Sequence, residues 1–94
     1  MTYNLQITTQ FKKDCKRMKK RGKDLADLRA VIEMLQAGTP LPAKYYDHEL
    51  VGKLAKFREC HIQPDWLLIY LVMQNHLVLT LMRTGSEVMR MEIT

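Results

Sequence analysis

Residues 66–73, WLLIYLVM, are apolar or aromatic throughout and decide the fold of this chain. A run of this length that is bounded by turn residues predicts a central β-strand buried on both faces of a sheet. It is well short of the roughly 18 apolar residues that a transmembrane helix needs, so we expect no membrane-spanning segment. Residues 1–10 lack the basic-then-apolar order of a signal peptide, and we therefore predict a cytoplasmic protein.

Strand patterns continue on both sides of this run. Residues 57–62 alternate in polarity before it, and residues 76–82 (HLVLTLM) follow it after a tight turn. Connections this short join antiparallel neighbours. The sequence therefore predicts three consecutive antiparallel strands, then a turn at Thr84-Gly85 and a short last strand within 88–93.

The first part of the chain predicts one strand and two helices. Residues 3–8 alternate as in a half-buried strand, and Thr8 or Thr9 is a suitable N-cap for the helix that follows. Gly22 ends that helix, and Asp24 caps a second. The two apolar stripes consist of Phe11, Cys15 and Met18, and of Leu25, Leu28, Val31, Ile32 and Leu35. We predict one α+β domain over residues 1–94, with a helical hairpin on one face of a twisted antiparallel sheet and polar residues on the other.

The positive charge of the chain is concentrated in one segment. Residues 10–30 contain nine basic and three acidic side chains, whereas the rest of the chain contains six basic and seven acidic ones, for a net charge of +5. Such a segment suits an anionic partner such as RNA, and it equally suits a solvent-exposed helix face. Lys16, Lys19 and Lys20 are the RNA contacts that the first interpretation predicts.

The cysteines and histidines do not form a metal-site pattern. Cys15 and Cys60 lie at an apolar helix position and in a predicted strand, which favours buried free thiols in a reducing compartment. The three histidines are scattered singly. We therefore expect neither a metal site nor a cofactor.

The polar residues that could carry chemistry lie in the second half of the chain. They are His48, Arg58, His61, Asp65, Arg83 and Glu87. Each has a structural explanation when taken alone, such as a surface histidine or a turn-stabilising aspartate. However, His61 and Asp65 flank the first hairpin turn, and Arg83 closes the strand that returns beside residues 66–73. We therefore predict that His61 and Arg83 converge on one rim of the sheet.

A base, a carboxylate and an arginine on one rim suit the cleavage of RNA without a metal. A base removes the proton of a ribose 2′-hydroxyl, which attacks the adjacent phosphorus, and an acid protonates the leaving 5′-oxygen. An arginine stabilises the charge that develops on the phosphorane.

Three segments together carry a family pattern. They are YDHELVG at 46–52, FRECHIQPDWLLIY at 57–70 and RTGS at 83–86, supported by FKKD at 11–14 and PLP at 40–42. With these segments the chain resembles the YafQ branch of the RelE/ParE toxin superfamily over nearly its whole length.

The resemblance implies a RelE-like, microbial-RNase-like α+β fold and a bacterial toxin of a type II toxin–antitoxin pair. Such a toxin is a ribosome-dependent endoribonuclease that cuts mRNA in the A site. It is neutralised by a DinJ-like antitoxin, with which it forms a heterotetramer, and the complex binds operator DNA through the antitoxin.

The resemblance also implies roles for individual residues. By matching positions, the catalytic set is His48, His61, Asp65 and Arg83. The two histidines are the acid–base groups, Arg83 stabilises the phosphate, and Asp65 orients His61 or contacts the substrate. Trp66 and Arg58 are substrate-binding candidates. Trp66 would stack on a base, and the alternative is that it belongs to the sheet core.

The C-terminal segment departs from the family pattern. Glu87 stands at the position of a family histidine, and Met91 stands where a phenylalanine is expected. A glutamate can accept a proton, but its negative charge repels a phosphate. This leaves open a weakened or inactive toxin that only binds its antitoxin or the ribosome. A ParE-like toxin acting on DNA gyrase is a third alternative, against which the two histidines argue, because poisoning a protein needs no acid–base pair.

Overall fold

Two helices and five strands make up the fold of residues 2–86, which are the residues described by this computed structural model. The elements are β1 (Asn4–Ile7), α1 (Thr9–Lys20), α2 (Leu25–Gln36), β2 (His48–Glu49), β3 (Arg58–Gln63), β4 (Trp66–Met73) and β5 (Val78–Gly85). Short 3₁₀ turns occupy Ala43–Tyr45, Gly52–Leu54 and Gln74–His76. No helix in this part of the chain is long and apolar enough to cross a membrane. The last strand predicted within 88–93 lies outside the described residues.

Strand β4 lies at the centre of the sheet, whose order is β1-β5-β4-β3-β2. Its bounds are those predicted, and residues 66–70 are buried, as expected for a strand covered on both faces. Strands β2 to β5 are antiparallel, but β1 pairs with β5 in parallel. The prediction of a wholly antiparallel sheet is therefore wrong. No hairpin joins β1 to β5, so nothing in the local chain forces them to run antiparallel.

Strand β1 is an exposed edge rather than the half-buried strand that its alternation predicts. All four of its residues are exposed, including Leu5 and Ile7. The helical layer lies over the inner strands, because α1 packs on β5 and α2 packs on β3. Alternation of polar and apolar residues along a strand does not show whether the helical layer covers that strand.

The helices begin where the sequence predicts. The Thr8 hydroxyl accepts a hydrogen bond from the backbone N–H of Phe11 at 3.0 Å, and the Asp24 carboxylate accepts one from Ala26 at 2.9 Å. Gly22 has a φ of +84°, the left-handed conformation that ends a helix. Both cysteines are free, as predicted. Burial raises the pKa of the Cys60 thiol to about 12.

The two faces of the sheet carry separate apolar clusters. The first lies under the helices and includes Leu68 and Tyr70 of β4. The second, on the other face, consists of Leu50, Phe57, Leu67 and Ile69, with Leu54, Leu71 and Met82 packed against it. The opposite face is therefore only partly polar: the segment after β2 brings apolar side chains to it, and Glu59 and His61, which pair with Ile69 and Leu67, share it.

Strand β5 continues through the turn that was predicted at Thr84-Gly85. Thr84 pairs with Leu68, and Gly85 pairs with Leu67. The indole N–H of Trp66 donates to the Thr84 hydroxyl oxygen at 2.8 Å, and that hydroxyl donates to the carbonyl of Leu67 at 2.7 Å. These buried hydrogen bonds, together with the ladder, keep the end of β5 in the sheet.

We predict that Thr84→Val lowers the free energy of unfolding by about 1–3 kcal/mol, because it leaves the buried N–H of Trp66 without an acceptor. Urea unfolding followed by the fluorescence of Trp66, the only tryptophan, measures the change. Thr84→Ser keeps the hydroxyl and is expected to cost less than about 1 kcal/mol, the value of one methyl group. Equal losses in the two variants would contradict this role of the hydroxyl.

Candidate functional site

Two histidines and a tyrosine form an open cluster at the β2–β3 edge of the sheet. The rings of His48 and His61 have centroids 6.3 Å apart. The Tyr46 ring lies 5.2 Å from His48 and 5.5 Å from His61, and Tyr46 is 68% exposed. Tyr46 adopts a left-handed backbone conformation with a φ of 50°, which is uncommon for a residue other than glycine. The structure thus brings together two residues that the sequence analysis selected, with a third that it did not.

Backbone carbonyls orient both histidine rings. Nδ1 of His48 lies 2.8 Å from the carbonyl oxygen of Tyr46, and Nδ1 of His61 lies 3.3 Å from that of Pro64. A carbonyl oxygen only accepts hydrogen bonds, so each Nδ1 carries the proton and donates it. The Nε2 atom of each neutral ring is then the basic nitrogen.

A buried glutamate lies beside both histidines. Glu59 is fully buried and pairs in register with His48 across β2 and β3. Its carboxylate Oε1 lies 3.8 Å from Nε2 of His61, two residues further along the same strand. The carboxylate beside His61 is therefore Glu59 and not the predicted Asp65, and alternation along β3 already places positions 59 and 61 on one face.

The structure brings Asp65 to the helical hairpin rather than to His61. The Asp65 side chain is 76% exposed, and its Oδ1 lies 3.5 Å from Nζ of Lys23. The same ammonium donates to Oε1 of Gln63 at 3.0 Å. Asp65 thus helps to anchor the turn in which the Pro64 carbonyl contacts His61, so its connection to the histidine is indirect.

Arg83 lies in the same cross-strand row as His48 and Glu59. Glu59 pairs with Ile69, and Ile69 pairs with Arg83. Two strand spacings, or about 10 Å, therefore separate the backbones of Glu59 and Arg83. Arg83 is only 7% exposed. It thus lies on the same part of the sheet as the histidine cluster, at some distance and largely enclosed.

The Arg83 guanidinium is bound by a carboxylate from the first helix. Its Nε and Nη2 donate to the two carboxylate oxygens of Asp14, at 2.7 and 3.1 Å. The backbone N–H of Thr84 also donates to Asp14, at 3.1 Å. Burial acts to raise the pKa of Asp14, but these hydrogen bonds and one from Gln10 outweigh it, so the pKa lies below its ordinary value. The role of Asp14 is not apparent from the sequence, because no local pattern marks a charged residue that will be buried beside an apolar stripe.

The Arg58 side chain lies between two carboxylates. Its Nη2 lies 3.2 Å from Oδ2 of Asp47, and its Nη1 lies 3.5 Å from Oε1 of Glu49. The hydroxyl of Tyr70 also donates to Asp47. Burial acts to lower the pKa of Arg58, and the hydrogen bonds with Asp47 and Tyr70 raise it above its ordinary value. Arg58 thus helps to fix the residue that precedes His48.

The remaining candidates divide between core and surface. Trp66 is fully buried, which favours the sheet-core alternative over the predicted stacking role. Lys16, Lys19 and Lys20 are exposed on α1. Glu87 lies outside the described residues. Within residues 2–86, no group of three or more His, Cys, Asp or Glu side chains is placed to hold a metal ion.

Residues 3–89 match the model of a family described as the bacterial toxin of a type II toxin–antitoxin system, YafQ. The chain belongs to the YafQ toxin family. The mRNA interferase toxin YafQ of Escherichia coli strain K12 is 38% identical over 85 residues, which cover 89% of this chain and 90% of that protein. The resemblance read from the three sequence segments is thereby confirmed.

Solved YafQ structures share this fold. The crystal structure of YafQ from E. coli strain BL21(DE3) superposes with a TM-score of 0.87 at 36% identity, covering 94% of this chain and 97% of that one. The YafQ chain of the E. coli DinJ-YafQ toxin–antitoxin complex gives a TM-score of 0.86 at 34% identity, with 95% and 97% covered. The predicted α+β, RelE-like architecture of this YafQ-family chain is confirmed, with a mixed sheet.

We predict that Asp14→Asn lowers the free energy of unfolding at pH 7 by about 3 kcal/mol, because it removes the carboxylate charge to which the buried Arg83 guanidinium is bonded. The native carboxylate has a lowered pKa, so it stabilises the fold above its ordinary value of 3.8. That contribution is lost as the pH falls through the pKa of the folded state.

The difference between the native protein and Asp14→Asn should therefore be largest at neutral pH and shrink below about pH 4. Guanidinium unfolding between pH 3 and 7 measures it. Glu33→Gln, at an exposed carboxylate of α2, is the matched control and should change little. A constant difference across this range would contradict the assignment.

Proposed function

We propose that this YafQ-family toxin is a ribosome-dependent endoribonuclease that cuts mRNA in the A site. Its E. coli relative is named an mRNA interferase. The observation that carries the proposal is the pair of histidine rings 6.3 Å apart, each oriented through Nδ1 by a backbone carbonyl. Two such rings offer a base to the attacking ribose 2′-hydroxyl and an acid to the leaving 5′-oxygen of one scissile phosphodiester.

The reaction proceeds by internal transfer of the phosphoryl group. One histidine, in its neutral form, takes the proton of the ribose 2′-hydroxyl through Nε2 while the 2′-oxygen bonds to phosphorus. The other histidine, in its protonated form, gives its proton to the 5′-oxygen as the P–O5′ bond breaks. The products are a 2′,3′-cyclic phosphate and a free 5′-hydroxyl. Positioned acid–base groups of this kind accelerate a reaction by about 10²–10⁴-fold.

Buried charges support this chemistry. The carboxylate of Glu59, 3.8 Å from Nε2 of His61, offsets the positive charge of that ring when it is protonated. Arg83 stabilises the phosphorane, and its bonds with Asp14 preorganise the guanidinium. Asp65 acts through the turn that places the Pro64 carbonyl against His61.

The basic surface of α1 is the docking surface for the ribosome. Exposed basic residues lie along α1 and its C-terminal cap, namely Lys12, Lys13, Lys16, Arg17, Lys19, Lys20 and Arg21. The acid within this segment, Asp14, is buried, so the surface field is strongly positive. A field of this kind attracts ribosomal RNA.

The proposed antitoxin is DinJ-like. The similar E. coli toxin forms a complex with DinJ. A heterotetramer of toxin and antitoxin that binds operator DNA through the antitoxin stays a prediction, as does a cytoplasmic location.

We predict that His48→Ala and His61→Ala each reduce mRNA cleavage by about 10²-fold or more, because each removes one acid–base group. Expression without antitoxin, followed by mapping of mRNA 5′ ends on translating ribosomes, measures cleavage. His76→Ala is the matched control, because His76 is exposed on the turn between β4 and β5. Full cleavage by both site variants would refute the assignment.

Arg83 requires a separate control. Its position at a strand end predicts a rim residue, but its burial against Asp14 means that Arg83→Ala is expected to unfold the protein partly as well as to abolish cleavage. The double variant Asp14→Asn with Arg83→Gln removes both charges and isolates the catalytic effect. We expect a folded protein without cleavage.

A second candidate function is a binding module that engages the antitoxin or the ribosome without cutting RNA. The residue that favours it is Glu87, where the family pattern has a histidine. Absence of cleavage by the native chain, with activity gained by Glu87→His, is the result that this alternative predicts.

We predict that charge reversal at Lys16, Lys19 and Lys20 weakens ribosome binding and flattens its salt dependence. Each lost phosphate contact should reduce the slope of log affinity against log salt by about 0.7–0.9. Binding to purified ribosomes at several salt concentrations measures this slope. Reversal of Lys53 and Lys56, exposed lysines outside α1, is the control. If reversal of the α1 lysines and reversal of Lys53 and Lys56 change the slope equally per charge, the α1 lysines belong to a solvent-exposed face without a specific RNA contact.

A further inference from the structure

A cavity of about 570 Å³ lies beside the histidine cluster, between α2, the turn Ala43–Tyr45 and the end of β3. His61 and Tyr46 form part of its lining, so it borders directly on the proposed reaction site. Its volume lies in the range of sites for small organic ligands. The proposed acid–base chemistry does not use this space.

The walls of the cavity combine aromatic rings with a small number of polar groups. Tyr45 and Tyr46 supply rings, and Ile62 and Pro64 supply apolar surface. Single-stranded RNA bases are bound by surfaces of this composition, because aromatic side chains stack on the base while polar groups bond to its edge.

The polar groups are held in a defined arrangement. Nε2 of Gln63 donates to Oδ2 of Asp27 at 3.3 Å, and Nζ of Lys23 donates to Oε1 of Gln63 at 3.0 Å. This chain of bonds fixes the amide of Gln63 and directs its donor toward Asp27. The Asp27 carboxylate retains further acceptor positions, because each of its oxygens accepts more than one hydrogen bond.

The cavity lining carries one negative and one positive side chain, Asp27 and Lys44, which suit the base and the phosphate of a nucleotide. Nζ of Lys44, another lining residue, lies 5.1 Å from the centre of the Tyr45 ring. A phosphate at the mouth can therefore lie toward Lys44 while the base lies toward Asp27.

We infer that this cavity is a subsite for a base of the RNA substrate and that guanine is the base it binds best. The Watson–Crick edge of guanine carries two adjacent N–H donors, which match an acceptor-only carboxylate, whereas uracil offers one donor between two acceptors that the carboxylate would repel. The inference rests on the proposed ribonuclease function for its substrate, but the subsite is testable by binding alone.

The test is a titration of the full chain with guanosine 5′-monophosphate and, separately, with uridine 5′-monophosphate, followed by NMR. We expect the guanine nucleotide to shift the signals of Gln63 and Tyr45 at concentrations about tenfold lower than the uracil nucleotide. Asp27→Asn preserves the size of the side chain and should abolish this difference. Glu33→Gln, on the same helix and outside the cavity, should retain it.

Equal binding of the two nucleotides, shifts confined to other parts of the protein, or a preference that persists in Asp27→Asn would overturn the inference. If the hydrogen bond between Asp27 and Gln63 had only a structural role, the preference for the guanine nucleotide would persist in Asp27→Asn.

Mapping of mRNA 5′ ends separates this inference from the proposed function. If guanine binds through Asp27, the native protein should favour cuts next to guanine, and Asp27→Asn should lose that preference. Cleavage with an unchanged preference would remove the cavity from the RNA path and overturn the inference alone. Absence of cleavage by the native protein would overturn the proposed function, and the nucleotide titration would still decide the subsite.

Discussion

The buried ion pair between Asp14 and Arg83 is the constraint on which the other features of this fold depend. It joins the middle of α1 to the last described strand through two side-chain hydrogen bonds and a third from the backbone of Thr84. Strand β1 pairs with β5 only as far as Leu81, so Asp14 supplies the acceptor that the Thr84 N–H lacks from a neighbouring strand. A single carboxylate thereby completes the sheet edge, anchors the helix and positions the arginine proposed to bind phosphate.

The first helix has a buried side that contains Asp14 and an exposed side that carries basic residues. The side of α1 that faces the sheet contributes Asp14 with Phe11 and Met18, and it is buried. The solvent side carries the lysines that give the chain its positive charge. One short helix therefore stabilises the sheet from within and presents a cationic surface outside. Because the acid is buried and compensated by Arg83, it does not weaken the positive field that an RNA partner would meet.

The proposed site depends on irregular backbone rather than on regular strands. The left-handed conformation of Tyr46 accompanies the contact of its carbonyl oxygen with His48. The turn that contains Pro64 likewise places the Pro64 carbonyl oxygen against His61. These two segments are separated in the sequence by β2, a 3₁₀ turn and β3, and they meet because β2 pairs with β3. The salt bridges Asp47–Arg58 and Asp65–Lys23 stabilise the two segments in this position.

The sequence by itself determined the bounds of β4, the helix caps and the family, because local periodicity, capping chemistry and motif spacing are short-range properties. It also selected His48 and His61 as candidates, which the fold brings together. Only the tertiary structure decided that β1 is an exposed parallel edge, that β5 extends through Thr84 and Gly85, and that a second apolar cluster shares the far face with Glu59 and His61. It also assigned Glu59 rather than Asp65 as the carboxylate beside His61 and moved Trp66 into the core. These outcomes depend on which elements cover one another and which distant groups meet. Strand alternation and residue type leave that choice open, since a charged side chain is buried only where a partner from another element compensates it.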